Sequence, residues 1–143
     1  MRILGLDHGE RRIGVAISDA TGTIASPHSV IDRRADDVAE TLQSVIAEYD
    51  VERIVVGLPL HLSGDEGASA QAARAFADTL AEETGLPVAL QDERFTTVTA
   101  EGALLEGGVR RRQRREVRDK VAAAVMLQGY LDSMRSDDGE RQP

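Results

Sequence analysis

Three acidic residues are placed where their side chains could do chemistry together. Asp7 ends the apolar run LGLD, Glu93 follows the run PVALQD, and Asp119 lies in a predicted helix that begins near Glu116. The first two follow predicted strands, and the ligands of open α/β sheets collect at the carboxyl ends of strands. Oxygen ligands of this kind suit one or two Mg²⁺ or Mn²⁺ ions, which could activate water and stabilise the leaving oxygen in phosphodiester hydrolysis.

Each of these acids also has a simpler explanation. Asp7 could cap a hairpin turn, and Glu93 could pair with Arg94 or Arg118. Asp119 could interact with the N-terminus of its own helix, where negative charge is favourable. Three acids that map to one edge of one sheet nevertheless favour a common site. There they would raise one another's pKa values unless a cation kept them ionised.

The position of Asp119 within its helix predicts where its carboxylate points. At about 100° per residue, it shares a helix face with Ala122, Ala123, Met126 and Tyr130. This face is apolar, and the alanines allow a close approach to a sheet. The carboxylate is therefore expected to face the sheet.

The elements that would position these residues begin with strands and continue with alternating helices and strands. Only five residues separate the first two strands, too few for a parallel crossover, so an antiparallel hairpin is predicted. The order β-β-β-α-β-α-β-α-α predicts an α/β fold, a mixed sheet with helices on its faces. The predicted strands are 2–7, 13–18, 23–31, 53–59 and 87–92, and the predicted helices are 36–49, with Asp36 as N-cap, 69–83, 97–106 and 116–134.

Composition limits the class of protein. A chain of 143 residues with 41% hydrophobic residues fits one globular domain, predicted over residues 1–134, with 135–143 as a disordered tail. Without cysteine, thiolate metal sites and cysteine nucleophiles are excluded. No apolar run approaches the roughly 20 residues of a membrane span, and Met1 leads directly into a strand, so a cytoplasmic location without membrane partners is expected.

Positive charge is concentrated in one segment of an acidic chain. The net charge is −8, yet the segment 109–120 has seven cations against two acids. It could be a solvated loop, but it could also hold a phosphate backbone directly beside Asp119. With two Phe, two Tyr and no Trp, stacking on bases is a poor candidate for recognition. The seven cations are Arg110, Arg111, Arg112, Arg114, Arg115, Arg118 and Lys120.

Four sequence motifs resemble one known family. The motifs LGLDHGERRIGVAISD, IVVGLPLHLSGDEG, DERFTT and RDKVAAAVMLQGYL have the order and spacing of the YqgF family, described as Holliday-junction resolvases and as pre-16S rRNA nucleases. The resemblance runs from Met1 to about Met134. It implies a ribonuclease H-like fold, with five strands in the order 3-2-1-4-5 and the second strand antiparallel.

The resemblance also implies roles for individual residues. The metal-binding and catalytic acids of the family fall on Asp7, Glu93 and Asp119, and Thr96 and Thr97 are interpreted as hydroxyls that support these ligands or cap the next helix. Substrate-binding roles are expected for Arg11, Arg94 and the seven cations. The glycine and basic positions of the family fall on Gly9, Arg11, Gly14, Gly57, Arg94 and Lys120.

Two histidines depart from the family pattern. Similar sequences commonly have Asn where His61 stands, and His61 could hydrogen-bond in the same way. An apolar or aromatic residue is frequent at the position of His8, which could tune the site beside Asp7 or face solvent.

The leading hypothesis is a metal-dependent nuclease that processes the 5′ end of pre-16S rRNA in ribosome biogenesis. It would act on nucleic acid, and on a ribosomal subunit precursor, as a monomer or weak homodimer. The alternatives are a resolvase of branched DNA and a non-catalytic nucleic-acid or ribosome-binding module. An ATPase of the actin and sugar-kinase kind is disfavoured, because one domain is too short and no phosphate-binding Gly-x-x-x-x-Gly-Lys-Ser/Thr loop is present.

Overall fold

Five strands and three helices make up the part of the chain that the computed structural model describes, residues 1–94 and 111–141. The predicted helix 97–106 lies outside these ranges. None of the described helices is both long and apolar enough to cross a bilayer. The strands are β1 (Arg2–His8), β2 (Arg12–Ser18), β3 (Ala25–Asp32), β4 (Val51–Leu58) and β5 (Val88–Asp92), and the helices are α1 (Val38–Tyr49), α2 (Ala68–Thr84) and α3 (Arg111–Arg141).

The strands form one mixed sheet in the order β3-β2-β1-β4-β5. The neighbours β1 and β2 are antiparallel, as are β2 and β3, whereas β1 with β4 and β4 with β5 are parallel. The second strand therefore runs against the others. The predicted order 3-2-1-4-5 and the predicted hairpin are confirmed.

Two apolar clusters cover the two faces of this sheet. Leu4 and Leu6 point to the face that α1 and α2 cover. Ile3 and Val55 point to the other face, where they pack against α3. Because side chains alternate along a strand, odd-numbered residues of β1 lie on the α3 face, as does Asp7.

Glycine allows α3 to lie close to the centre of the sheet. A Cβ atom at Gly5 of β1 would lie 2.8 Å from the Cβ atom of Leu127, a fully buried residue of α3. Ala123 and Met126 are buried in the same contact. The face predicted for α3 from periodicity is thus the face that meets the sheet.

The start of α1 differs from the prediction by one residue. Asp37, rather than Asp36, is the N-cap, and its carboxylate accepts a hydrogen bond from the backbone N–H of Glu40 at 3.1 Å. The carboxylate of Asp36 accepts from the N–H of Asp32 instead, at 2.8 Å. Asp36 therefore closes the turn that precedes the helix.

The last helix is longer than predicted at both ends. It begins at Arg111, five residues before Glu116, because arginine is a good helix former and no residue in the segment breaks the helix. Residues 135–141, assigned above to a tail, continue it. Met134 still packs against the apolar cluster beneath α3. The domain limit at residue 134 stays a prediction.

Candidate functional site

Asp7 lies on the α3 face of the sheet, next to the hairpin between β1 and β2. It pairs with Gly14 in the β1–β2 register. The hairpin turn itself is closed by a main-chain hydrogen bond from the N–H of Gly9 to the carbonyl of Arg12, at 3.0 Å. The carboxyl group of Asp7 instead makes a hydrogen bond with Glu93. A turn cap is therefore not its role.

Glu93 comes directly after β5 and is held against the end of β4. Its backbone N–H donates to the carbonyl of Leu58 at 3.1 Å. Its side chain fills the space above Gly57, where a Cβ atom would collide with the carboxyl group. Strands β1, β4 and β5 are parallel and share one carboxyl edge, so Glu93 reaches Asp7 across the end of β4, as that shared edge predicts.

The two carboxyl groups are buried and joined by a hydrogen bond, and both have raised pKa values. Burial raises the pKa of Glu93 to about 9, and the adjacent charge of Asp7 and the hydrogen bond between them act in the same direction. Burial also raises the pKa of Asp7, as does the charge of Asp119, while the hydrogen bond with Glu93 opposes the rise. Glu93 is consequently the proton donor in this pair.

Asp119 reaches the same region from α3. Its Oδ2 atom accepts a hydrogen bond from Nε of Arg12 at 2.6 Å. Its main-chain carbonyl rests on Gly14, so closely that a Cβ atom at residue 14 would collide with it. Asp119 lies two turns inside α3 and so is too far from the N-terminus of the helix for the alternative stated above.

The three predicted acids therefore converge on one edge of the sheet, but each already has a partner. Asp7 and Glu93 are joined by a hydrogen bond, and Asp119 is paired with Arg12. Within residues 1–94 and 111–141, no group of three or more acids or histidines is arranged to hold a metal ion. The oxygen-only donor set fits Mg²⁺ or Mn²⁺, because one cation could replace the proton between the two carboxyl groups.

Basic residues line a cleft beside Asp119, on the side of α3. Arg11, Arg12 and Arg115 line a cleft of about 280 Å³, together with Asp32 and Glu116. This cleft joins the β1–β2 turn to the second turn of α3. It is a polar cavity with an excess of positive charge.

The remaining predicted substrate-binding residues are distributed along α3. Arg114, Arg115 and Arg118 are exposed, and Lys120 is partly buried. Arg110 lies outside the described residues, whereas Arg111 and Arg112 are the first two residues of α3.

Arg94 forms an ion pair with Asp92. Its Nη2 atom lies 2.7 Å from Oδ2 of Asp92, and its Nε atom also donates to that carboxylate. Among the described residues, the ion pair that Arg94 forms is with Asp92. Thr96 and Thr97 lie outside the described residues.

Arg12 contacts Asp119 and is not among the site residues predicted from the sequence. A signal for it existed, because alternation along β2 places Arg12 on the same face as Gly14. Both residues therefore face α3. Using this signal requires β2 to begin at Arg12, whereas the predicted strand begins at residue 13.

His8 and His61 take part in packing and turn structure. The ring of His8 lies 4.6 Å from that of Phe76, on the α2 side of the sheet and so on the face opposite Asp7. Burial, together with the nearby charge of Arg33, lowers the pKa of His8. His61 lies in the loop after β4, where its N–H donates to the carbonyl of Asp65 at 2.9 Å.

Comparison with known proteins identifies relatives over nearly the full chain. The family model RuvX, described as Holliday junction resolvase, matches residues 1–133. A Moorella thermoacetica protein is 51% identical over 136 residues, covering 94% of this chain and 96% of its own. A Lactococcus lactis protein is 49% identical over 135 residues, covering 92% and 94%. Both relatives are named, provisionally, as pre-16S rRNA nucleases.

Solved structures of Holliday-junction enzymes have the same fold. Thermus thermophilus RuvC in complex with a Holliday junction substrate superposes with a TM-score of 0.59 at 16% identity, covering 95% of this chain and 96% of that one. The yeast mitochondrial Holliday junction resolvase Ydc2 gives a TM-score of 0.56 at 13% identity, covering 97% and 81%. At these identities the likeness establishes the ribonuclease H-like fold.

Proposed function

The chain belongs to the RuvX family, described as Holliday junction resolvases, and from that premise we propose that it is a metal-dependent endonuclease acting on structured nucleic acid. The observation that carries the proposal is the hydrogen-bonded pair of Asp7 and Glu93, with Asp119 close enough for its charge to affect Asp7. The substrate we propose is the 5′ end of pre-16S rRNA, because relatives at 49% and 51% identity are named for that activity. Such a substrate would be met in the cytoplasm, on ribosomal subunit precursors.

Asp7, Glu93 and Asp119 would hold the divalent cation, with one or two Mg²⁺ or Mn²⁺ ions as the candidates. When bound, such ions polarise a phosphodiester and lower the pKa of water. The carboxyl groups of Asp7 and Glu93 fit this role, because a cation could take the place of the proton that now joins them. Removal of that proton accompanies metal binding in sites of this kind.

The other residues of the site would bind and orient the substrate. Arg11 and Arg115 line the polar cleft, and Arg118 is exposed on the same helix. Arginine donates to phosphate oxygens in a fixed bidentate geometry, which positions the backbone without reading its sequence. The substrate strand would therefore be held beside the acids by its phosphates.

A DNA junction resolvase is the second candidate, because the matching family is described by that activity. Both candidate substrates would be bound through their backbone phosphates, so the arginines do not distinguish them. Symmetric cleavage of two strands would require two copies of the site. For this candidate, we expect a homodimer on the junction.

The test compares two substrates with the intact protein. A transcript carrying the 5′ precursor end of 16S rRNA and a four-way DNA junction are each incubated with Mg²⁺, Mn²⁺ or a chelator, and the products are resolved on sequencing gels. We expect cation-dependent cleavage of the RNA at a defined position. Preferential cleavage of the junction would replace the first candidate with the second, and cleavage of neither would refute both.

Two variants connect the activity to the acids. Asp7→Asn and Glu93→Gln preserve side-chain size and should lose cleavage by at least about 100-fold, while their urea denaturation stays cooperative. Retained cleavage in either variant would remove that residue from the mechanism. Arg74→Gln is the control, because Arg74 is an exposed residue of α2 that pairs with Glu66.

A further inference from the structure

Arg12 occupies a position between the acids and the basic cleft. It is the first residue of β2, and its Nε atom donates to Asp119 at 2.6 Å. Its side chain also lines the cleft that contains Arg11 and Arg115. Among the residues that the structure describes around the cleft, only Arg12 is paired with one of the three acids.

The ion pair between Arg12 and Asp119 conflicts with the proposed role of Asp119. A divalent cation bound by this carboxylate would repel the guanidinium and compete for the same oxygen atoms. The side chains of Arg12 and Asp119 are 26% and 25% exposed, respectively, so neither is locked in the protein interior. Arg12 can therefore turn away from Asp119 towards solvent and the cleft.

The main chain of Asp119 does not depend on this ion pair for its position. Its carbonyl rests directly on Gly14, and Ala123 and Met126, one and two turns later, are buried against the sheet. An ion pair at this exposure contributes little to stability by itself. Separation of Arg12 from Asp119 should therefore leave α3 in place.

The cleft provides space in which Arg12 could bind an anion other than Asp119. Its volume of about 280 Å³ admits a phosphate group with bound water, since one water needs roughly 10–15 Å³ of such space. Three arginines line it, together with two acidic residues, Asp32 and Glu116. The carboxylate of Asp32 already accepts a hydrogen bond from the N–H of Arg34, at 2.9 Å.

We propose that Arg12 exchanges partners during the reaction cycle: it holds Asp119 in the metal-free protein and binds a backbone phosphate of the substrate in the cleft once a divalent cation takes Asp119. The proposal rests on the proposed function. It adds a phosphate subsite and a residue whose contribution to substrate binding depends on the cation. Arg12 thereby links occupation of the acidic site to capture of the strand.

The first measurement is binding of Mn²⁺ alone, by isothermal titration calorimetry. The proteins are the wild type, Arg12→Gln and the matched control Arg11→Gln, which removes the same charge from the same cleft. We expect Arg12→Gln to bind Mn²⁺ about two- to fivefold more tightly than Arg11→Gln, because the competitor for Asp119 is gone. If Arg12 only braces the structure, Arg12→Gln will instead bind Mn²⁺ no more tightly, which overturns the exchange.

The second measurement is binding of the nucleic acid that the wild type cleaves, with Ca²⁺ or with chelator. We expect the loss of affinity in Arg12→Gln to be at least about fivefold larger with Ca²⁺ than with chelator. In Arg11→Gln the loss should be similar in both conditions. An equal loss in Arg12→Gln with and without Ca²⁺ would overturn the exchange.

The two measurements separate this proposal from the proposed function. If the wild type binds no Mn²⁺ and cleaves nothing, both proposals fail. If the wild type binds Mn²⁺ and cleaves, but Arg12→Gln behaves as Arg11→Gln in both experiments, only the exchange fails. Arg12→Lys is the second variant, which keeps a positive charge should Arg12→Gln fold poorly. It should give smaller changes of the same sign, and changes of opposite sign would refute the exchange.

Discussion

The carboxyl group of Glu93 occupies the space that Gly57 leaves by having no side chain. A Cβ atom at residue 57 would collide with both the carboxyl carbon and Oε1 of Glu93. Gly57 lies in β4 with ordinary strand pairing to β5, so the turn-forming ability of glycine is not what the position uses. The absence of a side chain at Gly57 leaves the space in which the carboxyl group of Glu93 forms its hydrogen bond with Asp7.

Gly57→Ala should therefore impair the site more than the fold. We expect the methyl group to push the carboxyl group of Glu93 away from Asp7, because a flexible side chain yields more easily than β4. A displacement of about 1 Å in a catalytic group can lower turnover by about 100-fold. The measurement is the cleavage rate, together with the affinity for Mn²⁺. Wild-type values of both would show that Glu93 tolerates the displacement or takes no part.

Gly14→Ala should impair the fold. The added methyl group would collide with the main-chain carbonyl oxygen of Asp119. This oxygen cannot rotate away, so α3 would have to shift. Overpacking of this kind lowers the free energy of unfolding by about 1–3 kcal/mol, measurable by urea denaturation. Gly129→Ala is the control, since its nearest neighbour is Nε2 of Gln91 at 3.5 Å. Alanine there should leave stability unchanged or raise it slightly. Equal effects of the two substitutions would contradict the role of Gly14.

The stability of the metal-free protein should fall as the pH rises from 7 to 9. Burial raises the pKa of Glu93 from its ordinary value of 4.5 to about 9, so the folded state binds a proton that the unfolded state releases. This contribution to stability is complete below pH 4.5 and is lost as the pH passes through about 9, with a slope of at most about 1.4 kcal/mol per unit. The pKa of His8 is lowered by burial, and its opposite effect is confined to pH values below 6.5.

Urea denaturation in chelator at pH 7, 8 and 9 measures this slope. Glu93→Gln cannot release the proton and should have a flatter profile than the wild type. A wild-type slope that persists in Glu93→Gln would assign the titration to another group. Added Mn²⁺ should stabilise the wild type more at pH 8 than at pH 7, because the cation displaces the proton.

The arrangement of Asp7 and Glu93 was predictable because it follows from rules of sheet construction. Asp7 ends one apolar run and Glu93 follows another, and the carboxyl ends of parallel strands in one sheet share one edge. The direction of Asp119 towards the sheet followed from the periodicity of its helix, and burial of Ala123 and Met126 bears out that face. Strand order required the family resemblance, since the local pattern alone specifies only a mixed sheet.

Other features could not be read from the pattern, because neighbouring residues are chemically equivalent. Asp36 and Asp37 are both good N-caps, and the competing hydrogen bond of Asp36 with Asp32 decides between them. Arg11 and Arg12 are residues of the same type, and which of them faces Asp119 depends on the residue at which β2 begins. The start of α3 was misplaced because the arginine run contains neither a cap nor a helix breaker.

The arginines of α3 should determine how strongly salt weakens nucleic-acid binding. Removing one cation that binds a phosphate lowers the slope of log affinity against log salt concentration by about 0.9 for duplex DNA and about 0.7 for a single strand. Arg115→Gln with Arg118→Gln removes two exposed cations of α3 and should lower the slope by about 1.4–1.8 without altering cleavage position. Arg74→Gln, on α2 and so across the sheet, should leave the slope unchanged. Fluorescence anisotropy at several salt concentrations measures it, and a slope equal to wild type in the α3 variant would place the strand elsewhere on the surface.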